Sequence, residues 1–104
     1  MAITLNQMQE DIHSQILRDY DGRSAYHLQN MMFMGLAEET GEVLGIAKRK
    51  IRGFKSDEKD VTIGHFVEEL GDVLWYLIAL CDVHGISIDM VWELNKQKLE
   101  ERYG

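Results

Sequence analysis

Five carboxylates fall into two short clusters, Glu38-Glu39-x-x-Glu42 and Glu69-x-x-Asp72, separated by 26 residues. Side chains three or four apart on a helix share a face: Glu39 and Glu42 lie about 60° apart around the axis, Glu38 and Glu42 about 40°, and Glu69 and Asp72 again about 60°. No Lys or Arg occurs from Ser24 to Ala47 or from Val61 to Asn95, although the chain carries 11 elsewhere. Helix neighbours at i,i+4 normally supply opposite charges that contribute roughly 0.2–0.5 kcal/mol, whereas here Glu38 faces Glu42 and Glu68 faces Asp72, and both pairs repel. If the two segments are helices packed antiparallel, both acid pairs converge in one groove lined with carboxylate oxygens. Such a set suits a hard divalent cation, Mg²⁺ or Mn²⁺, better than a soft metal. The competing reading is two solvated helix faces, and the missing basic partners weigh against it.

These acids need long helices to hold them. The chain has no proline, and its apolar residues recur at helical spacing. The first helix is expected from Thr4 to Asp19, with Leu5, Met8, Ile12 and Ile16 on one stripe and Asp21-Gly22 as the turn after it. The second starts with Ser24 as N-cap and runs to Arg52, where Gly53 stops it. Lys55 to Asp60 reads as a polar loop, Thr62 caps a third helix that runs to about His84, and Gly85 and Ser87 separate it from a fourth, Ile88 to Tyr103. In the fourth, Met90, Val91, Trp92, Leu94 and Leu99 are expected to face inward. Gly41 and Gly71 interrupt helices where Gly costs about 1 kcal/mol relative to Ala, which points to close helix approach at both. The expected fold is all-α, a four-helix-type bundle forming a single domain over residues 1–104. From Val73 to Val83 the third helix is apolar on almost every side. Three short neighbours cannot cover it, so a homo-oligomer, dimer or tetramer, built through helices two and three is expected.

Composition narrows the function. With 18 acidic residues against 11 Lys and Arg, the formal charge is −7, which argues against a nucleic-acid polymer or an anionic membrane as partner. Cys81 is the lone cysteine and sits in an apolar run, which excludes an internal disulfide and a Cys-based zinc motif. The longest uninterrupted apolar run, Val73 to Cys81, is nine residues, far below the roughly 20 needed to span a bilayer. Met1 to Glu10 lacks the basic start and apolar core of a signal peptide, so a soluble, cytoplasmic protein is expected.

The paired acidic clusters resemble the signature of the MazG-like nucleoside triphosphate pyrophosphohydrolases, an all-α superfamily that also contains dimeric dUTPases and phosphoribosyl-ATP pyrophosphohydrolase. Glu68-Glu69-Leu70-Gly71-Asp72-Val73-Leu74-Trp75-Tyr76-Leu77 is particularly similar to the second half of that signature. The resemblance spans roughly residues 24 to 103, and the 26-residue gap is at the long end for the family. It implies hydrolysis of a (deoxy)nucleoside triphosphate to the monophosphate and pyrophosphate, with Mg²⁺, or Mn²⁺, held at Glu39, Glu42, Glu69 and Asp72. Glu38 is then the residue that orients or deprotonates the attacking water, or that serves a second ion. On the last helix, Asn95, Lys98, Arg102 and Tyr103 are similar to positions at which family members contact substrate phosphates; Lys and Arg there also suit the helix dipole. The same resemblance admits phosphoribosyl-ATP hydrolysis, and a helical interaction module without turnover is the alternative from another class.

Other residues carry weaker signals. Lys48-Arg49-Lys50 with Arg52 and Lys55 either receive pyrophosphate or form a solvated helix end. His13, His27, His65 and His84 show no zinc spacing and read as surface or boundary residues. Met31, Met32, Phe33 and Met34 read as core or interface.

Overall fold

Thr4 opens the first helix, α1 (Leu5–Asp19), through a capping box: its hydroxyl accepts the Gln7 N–H at 3.1 Å, and the Gln7 side-chain carbonyl accepts the Thr4 N–H at 2.8 Å. Gly22, with φ of +79°, makes the turn, and Ser24 caps α2 (Ala25–Arg52) by accepting the His27 N–H at 3.1 Å. Twenty-eight residues make α2 about 42 Å long. Gly53 ends it with φ of +68°, a left-handed conformation that favours glycine, and its N–H closes the last turn on the Arg49 carbonyl at 3.0 Å. Thr62 caps α3 (Ile63–Val83) through the His65 N–H at 3.2 Å, and Ser87 caps α4 (Ile88–Tyr103) through the Asp89 N–H at 3.2 Å. This computed structural model describes residues 2–104, and the described residues contain these four helices and no strand. The chain is all-α, as its sequence implies.

The expected polar loop is more ordered than its composition suggests. Lys55–Val61 forms a 3₁₀ stretch around Asp57, which is buried and accepts a 2.7 Å bond from Arg52 Nε, while the Arg52 guanidinium lies 4.7 Å from the Phe54 ring centroid. A buried, charge-assisted hydrogen bond gives the segment a reason to coil.

By internal packing the chain falls into two compact units. The first comprises the chain up to Gln29 together with Ile78–Gly104. Ile12, Ile16, Ile78, Ala79, Cys81 and Ile88 are its buried apolar residues. Gln9 ties α1 to the α3–α4 turn: its side-chain amide donates to the Ile86 carbonyl at 2.9 Å and to Asp82 at 3.3 Å, and its oxygen accepts the Ile88 N–H at 2.7 Å. His13 Nδ1 lies 2.7 Å from the other Asp82 oxygen. The stripe expected on α1 therefore holds. That of α4 does not, because only Ile88 is buried there, while Met90, Val91, Trp92, Leu94 and Leu99 are exposed in the single chain.

The second unit, Asn30–Leu77, comprises most of α2, the 3₁₀ stretch and most of α3, and buries Met32 and Ile46. Here α2 and α3 pack antiparallel: Gly35 meets the ring of Tyr76, and farther along α2 Glu39 meets Asp72 and Glu69. A methyl group on residue 35 would overlap that ring. The close approach is at Gly35 and not at Gly41 or Gly71, where an added Cβ would meet nothing within 4 Å. In the single chain α3 keeps Phe66, Val67, Leu70, Leu74 and Leu77 exposed, as expected of a helix that its three neighbours cannot cover.

Candidate metal centre

The antiparallel pairing within the second unit brings three of the five acids to one point. Glu39, from the middle of α2, and Glu69 and Asp72, one helical step apart on α3, each offer a carboxylate oxygen, and these oxygens lie within 4.8 Å of one another. Two unit charges at that distance repel by roughly 1 kcal/mol in bulk water and by more where solvent is excluded. Glu39 and Glu69 are half-buried, and Asp72 is exposed at the rim. Burial first, and then the negative fields of Asp72, Glu69, Glu38 and Glu42, push the Glu39 carboxyl above its ordinary value. Glu38 and Glu42 thus act on the cluster through space, but neither belongs to the converging group, and both are exposed.

No Lys or Arg forms an ion pair with these acids among the described residues. One basic group escaped the sequence reading. His65 is half-buried one turn before Glu69, with Nε2 at 3.6 Å from Glu69 and Nδ1 at 3.9 Å from Glu68. Its i,i+4 relation to Glu69 was the available signal, and weighing His only as a zinc ligand hid it. These separations exceed hydrogen-bond length, and the imidazole lies beside Glu69 and Glu68 rather than Glu39 or Asp72 in the ion pairs it forms. The donor set is all oxygen, crowded and incompletely paired, which fits a hard divalent cation.

Of the remaining predicted residues, Asn95, Lys98, Arg102 and Tyr103 are on α4 in the other unit, all exposed, with the first three close to one stripe of that helix. Gln29, at the start of α2, spends its amide on the Val83 carbonyl at 3.3 Å.

Comparison with known sequences agrees with this geometry. The profile of the MazG nucleotide pyrophosphohydrolase domain matches residues 28–104, which include both acidic clusters and α4. This chain belongs to that family. Among curated proteins, the chain is similar to the uncharacterized protein YvdC of Bacillus subtilis (strain 168), 30% identical over 73 residues that cover 65% of this chain and 69% of the relative. No solved structure matches. The MazG match begins within α2 and leaves out α1, so the segment that Gln9 and His13 anchor lies outside the shared domain.

Proposed function

We propose that this protein is a Mg²⁺-dependent pyrophosphohydrolase that converts a (deoxy)nucleoside triphosphate and water to the nucleoside monophosphate and pyrophosphate. The convergence of Glu39, Glu69 and Asp72 without a Lys or Arg carries this reading, and membership of the MazG family supplies the reaction class. Those three acids would hold the ion, together with Glu42 from the adjoining turn of α2. A divalent ion there would supply Lewis-acid polarisation of the phosphates and make water a stronger acid. Glu38 accepts the proton of the attacking water; the new bond joins that oxygen to the α-phosphorus, and the bond from the α-phosphorus to the bridging oxygen breaks with pyrophosphate leaving. Asn95, Lys98, Arg102 and Tyr103 on α4 hold substrate phosphates, a role suited to exposed cationic and hydrogen-bonding side chains near a helix C-terminus.

Self-association belongs to the same proposal. In the single chain the apolar faces of α2 and α3 in the second unit stay open at Phe33, Leu44, Phe66, Val67, Leu70 and Leu74. Large apolar side chains exposed in this number on two neighbouring helices are covered by association, and a dimer, or a pair of dimers, formed through α2 and α3 does so. No single helix is long and apolar enough to cross a membrane, and we place the protein in the cytoplasm, where nucleotides and Mg²⁺ are available.

The deciding experiment is a panel of ribo- and deoxynucleoside triphosphates and phosphoribosyl-ATP, assayed for pyrophosphate with and without Mg²⁺. We expect release from at least one nucleoside triphosphate, only with the cation present. Release from phosphoribosyl-ATP alone would move the substrate to histidine synthesis, and no release from any would leave a non-catalytic module. Light scattering at micromolar concentration reads the assembly, and a stable monomer would refute association.

A further inference from the structure

Among the described residues at the basic end of α2, Lys48, Arg49 and Lys50 form no ion pair, and of these Arg49 alone is half-buried. Arg49 lies seven residues beyond Glu42, and two helical turns bring it back to within about 20° of the same face. Between them stands Gly45. The Arg49 guanidinium folds back over this glycine, with Nη1 at 3.1 Å and Cζ and Nη2 at 3.7 Å from where a Cβ on residue 45 would sit. The missing side chain thus lets the cationic head reach about one turn back toward Glu42 instead of outward from the helix end.

The surroundings of Arg49 distinguish it from its basic neighbours. Arg52, one turn on, gives its Nε to Asp57 at 2.7 Å and leaves that carboxylate engaged. Arg49 acts on Asp57 only through space. Its own Nε is buried and has no hydrogen-bond partner among the described residues, and a buried donor left unmade costs roughly 1–3 kcal/mol. Lys48 and Lys50 project about 100° to either side of it and are exposed.

Along one face of α2, then, excess negative charge at Glu39 and Glu42 is followed by an unpaired guanidinium at Gly45. Neither neutralises the other. A single ligand of mixed character, a polyphosphate complexed with a divalent cation, satisfies both: the cation meets the carboxylates, and phosphate oxygens farther along the chain meet the planar fork of the guanidinium, which matches phosphate geometry. We infer that Arg49 grips the phosphate chain of the substrate at the end that leaves as pyrophosphate, and so sets the preference for a triphosphate over a monophosphate. This rests on the pyrophosphohydrolase reading, and Arg49 is a substrate-binding residue within it.

The test uses the full chain and inorganic pyrophosphate as probe. Pyrophosphate is titrated by calorimetry in the presence of Mg²⁺ into the wild type, Arg49→Gln and Arg49→Lys, and Mn²⁺ affinity is measured by electron paramagnetic resonance without phosphate. Arg49→Gln is expected to weaken pyrophosphate binding about tenfold or more, the scale of a lost charge-assisted bond, with Mn²⁺ affinity held within about twofold; Arg49→Lys falls between. Pyrophosphate binding unchanged in Arg49→Gln, a parallel loss of Mn²⁺ affinity, or a wild type that does not bind pyrophosphate would each overturn the inference. Turnover of nucleoside triphosphates by the wild type is read separately. A wild type that binds pyrophosphate through Arg49 but hydrolyses nothing refutes the hydrolase and leaves the phosphate grip standing, while hydrolysis together with Arg49-independent pyrophosphate binding does the reverse.

Discussion

Glu39 and Asp57 are carboxylates withdrawn from water in the same unit, and they are balanced in opposite ways. Asp57 is 8% exposed and receives Arg52 Nε at 2.7 Å; that hydrogen bond holds its carboxyl below the ordinary range, against the opposing effect of burial. Glu39 has acids for neighbours, so burial and repulsion act together and its carboxyl rises. The lesson is that this chain can compensate a buried acid when a structural element depends on it, and that it does not do so around Glu39. Local balance folds the 3₁₀ stretch. Local imbalance leaves a carboxylate cluster that no Lys or Arg among the described residues pairs with.

The largest expected effect breaks the comparison at the unbalanced site. Asp72→Asn and Glu69→Gln each remove a converging oxygen charge, and a cation's share of transition-state stabilisation amounts to several kcal/mol, so pyrophosphate release should fall by about 100-fold or more. Asp57→Asn should keep its response to divalent cations. If either site variant turned over at the wild-type rate, the carboxylates would be a solvated surface after all.

Next in size is the balanced site. Asp57→Asn removes the charge that holds Arg52 and the 3₁₀ stretch, and the melting temperature should fall by several degrees, read by circular dichroism. The sign with pH follows from the depressed carboxyl: its contribution is present above the unfolded value and lost as pH falls through the folded one. The gap between wild type and Asp57→Asn should therefore close on acidification. A gap that stays constant into the acid range would mean that packing, not charge, anchors the stretch.

How much of this was legible beforehand depends on whether a feature is local. Thr4, Ser24, Gly53, Thr62 and Ser87 act within a turn of their own positions, so all four helices could be read from caps and stops. The coming together of Glu39, Glu69 and Asp72 was legible because helix periodicity restricts each cluster to one face. Other features depended on contacts that sequence does not show. The order of Lys55–Val61 comes from one pair five residues apart, Arg52 and Asp57, in a segment whose composition reads as loop. Gly35 supports the ring of Tyr76, 41 residues away, whereas Gly41 and Gly71 stood out only because they adjoin acids. On α4 periodicity identified apolar residues but not what would cover them, and one chain leaves Trp92 and Leu94 open.

A pH titration of the metal-free protein sharpens the contrast further. The raised Glu39 carboxyl has the opposite sign to Asp57: the folded state binds its proton more tightly than the unfolded chain, so its favourable contribution is present below the unfolded value and lost as pH rises through the folded one. Stability should thus decline above the ordinary carboxylate range in a chelating buffer. Adding Mg²⁺ should remove the decline, because a ligand that binds only the folded state stabilises it by mass action. A melting temperature unmoved by millimolar Mg²⁺ at neutral pH would count against the site.

The smallest expected effect is also the most diagnostic, because its sign opposes the usual one. Most substitutions destabilise a protein, yet Glu39→Gln keeps the side chain's shape and removes one of the charges that crowd Asp72 and Glu69. In chelating buffer near neutral pH it should raise the melting temperature by about 1–3 °C, a few tenths of a kcal/mol for a domain of this size, while lowering the response to Mg²⁺. The gain should vanish below the ordinary carboxylate range, where the wild-type Glu39 is itself protonated, and it should reverse once the cation is added. An enzyme that holds acids together for a ligand gives up stability for function in this way. A Glu39→Gln protein less stable than wild type in the absence of metal would instead show that the carboxylate is already balanced within the fold, and that Glu39 and Asp57 differ only in how their partners are arranged.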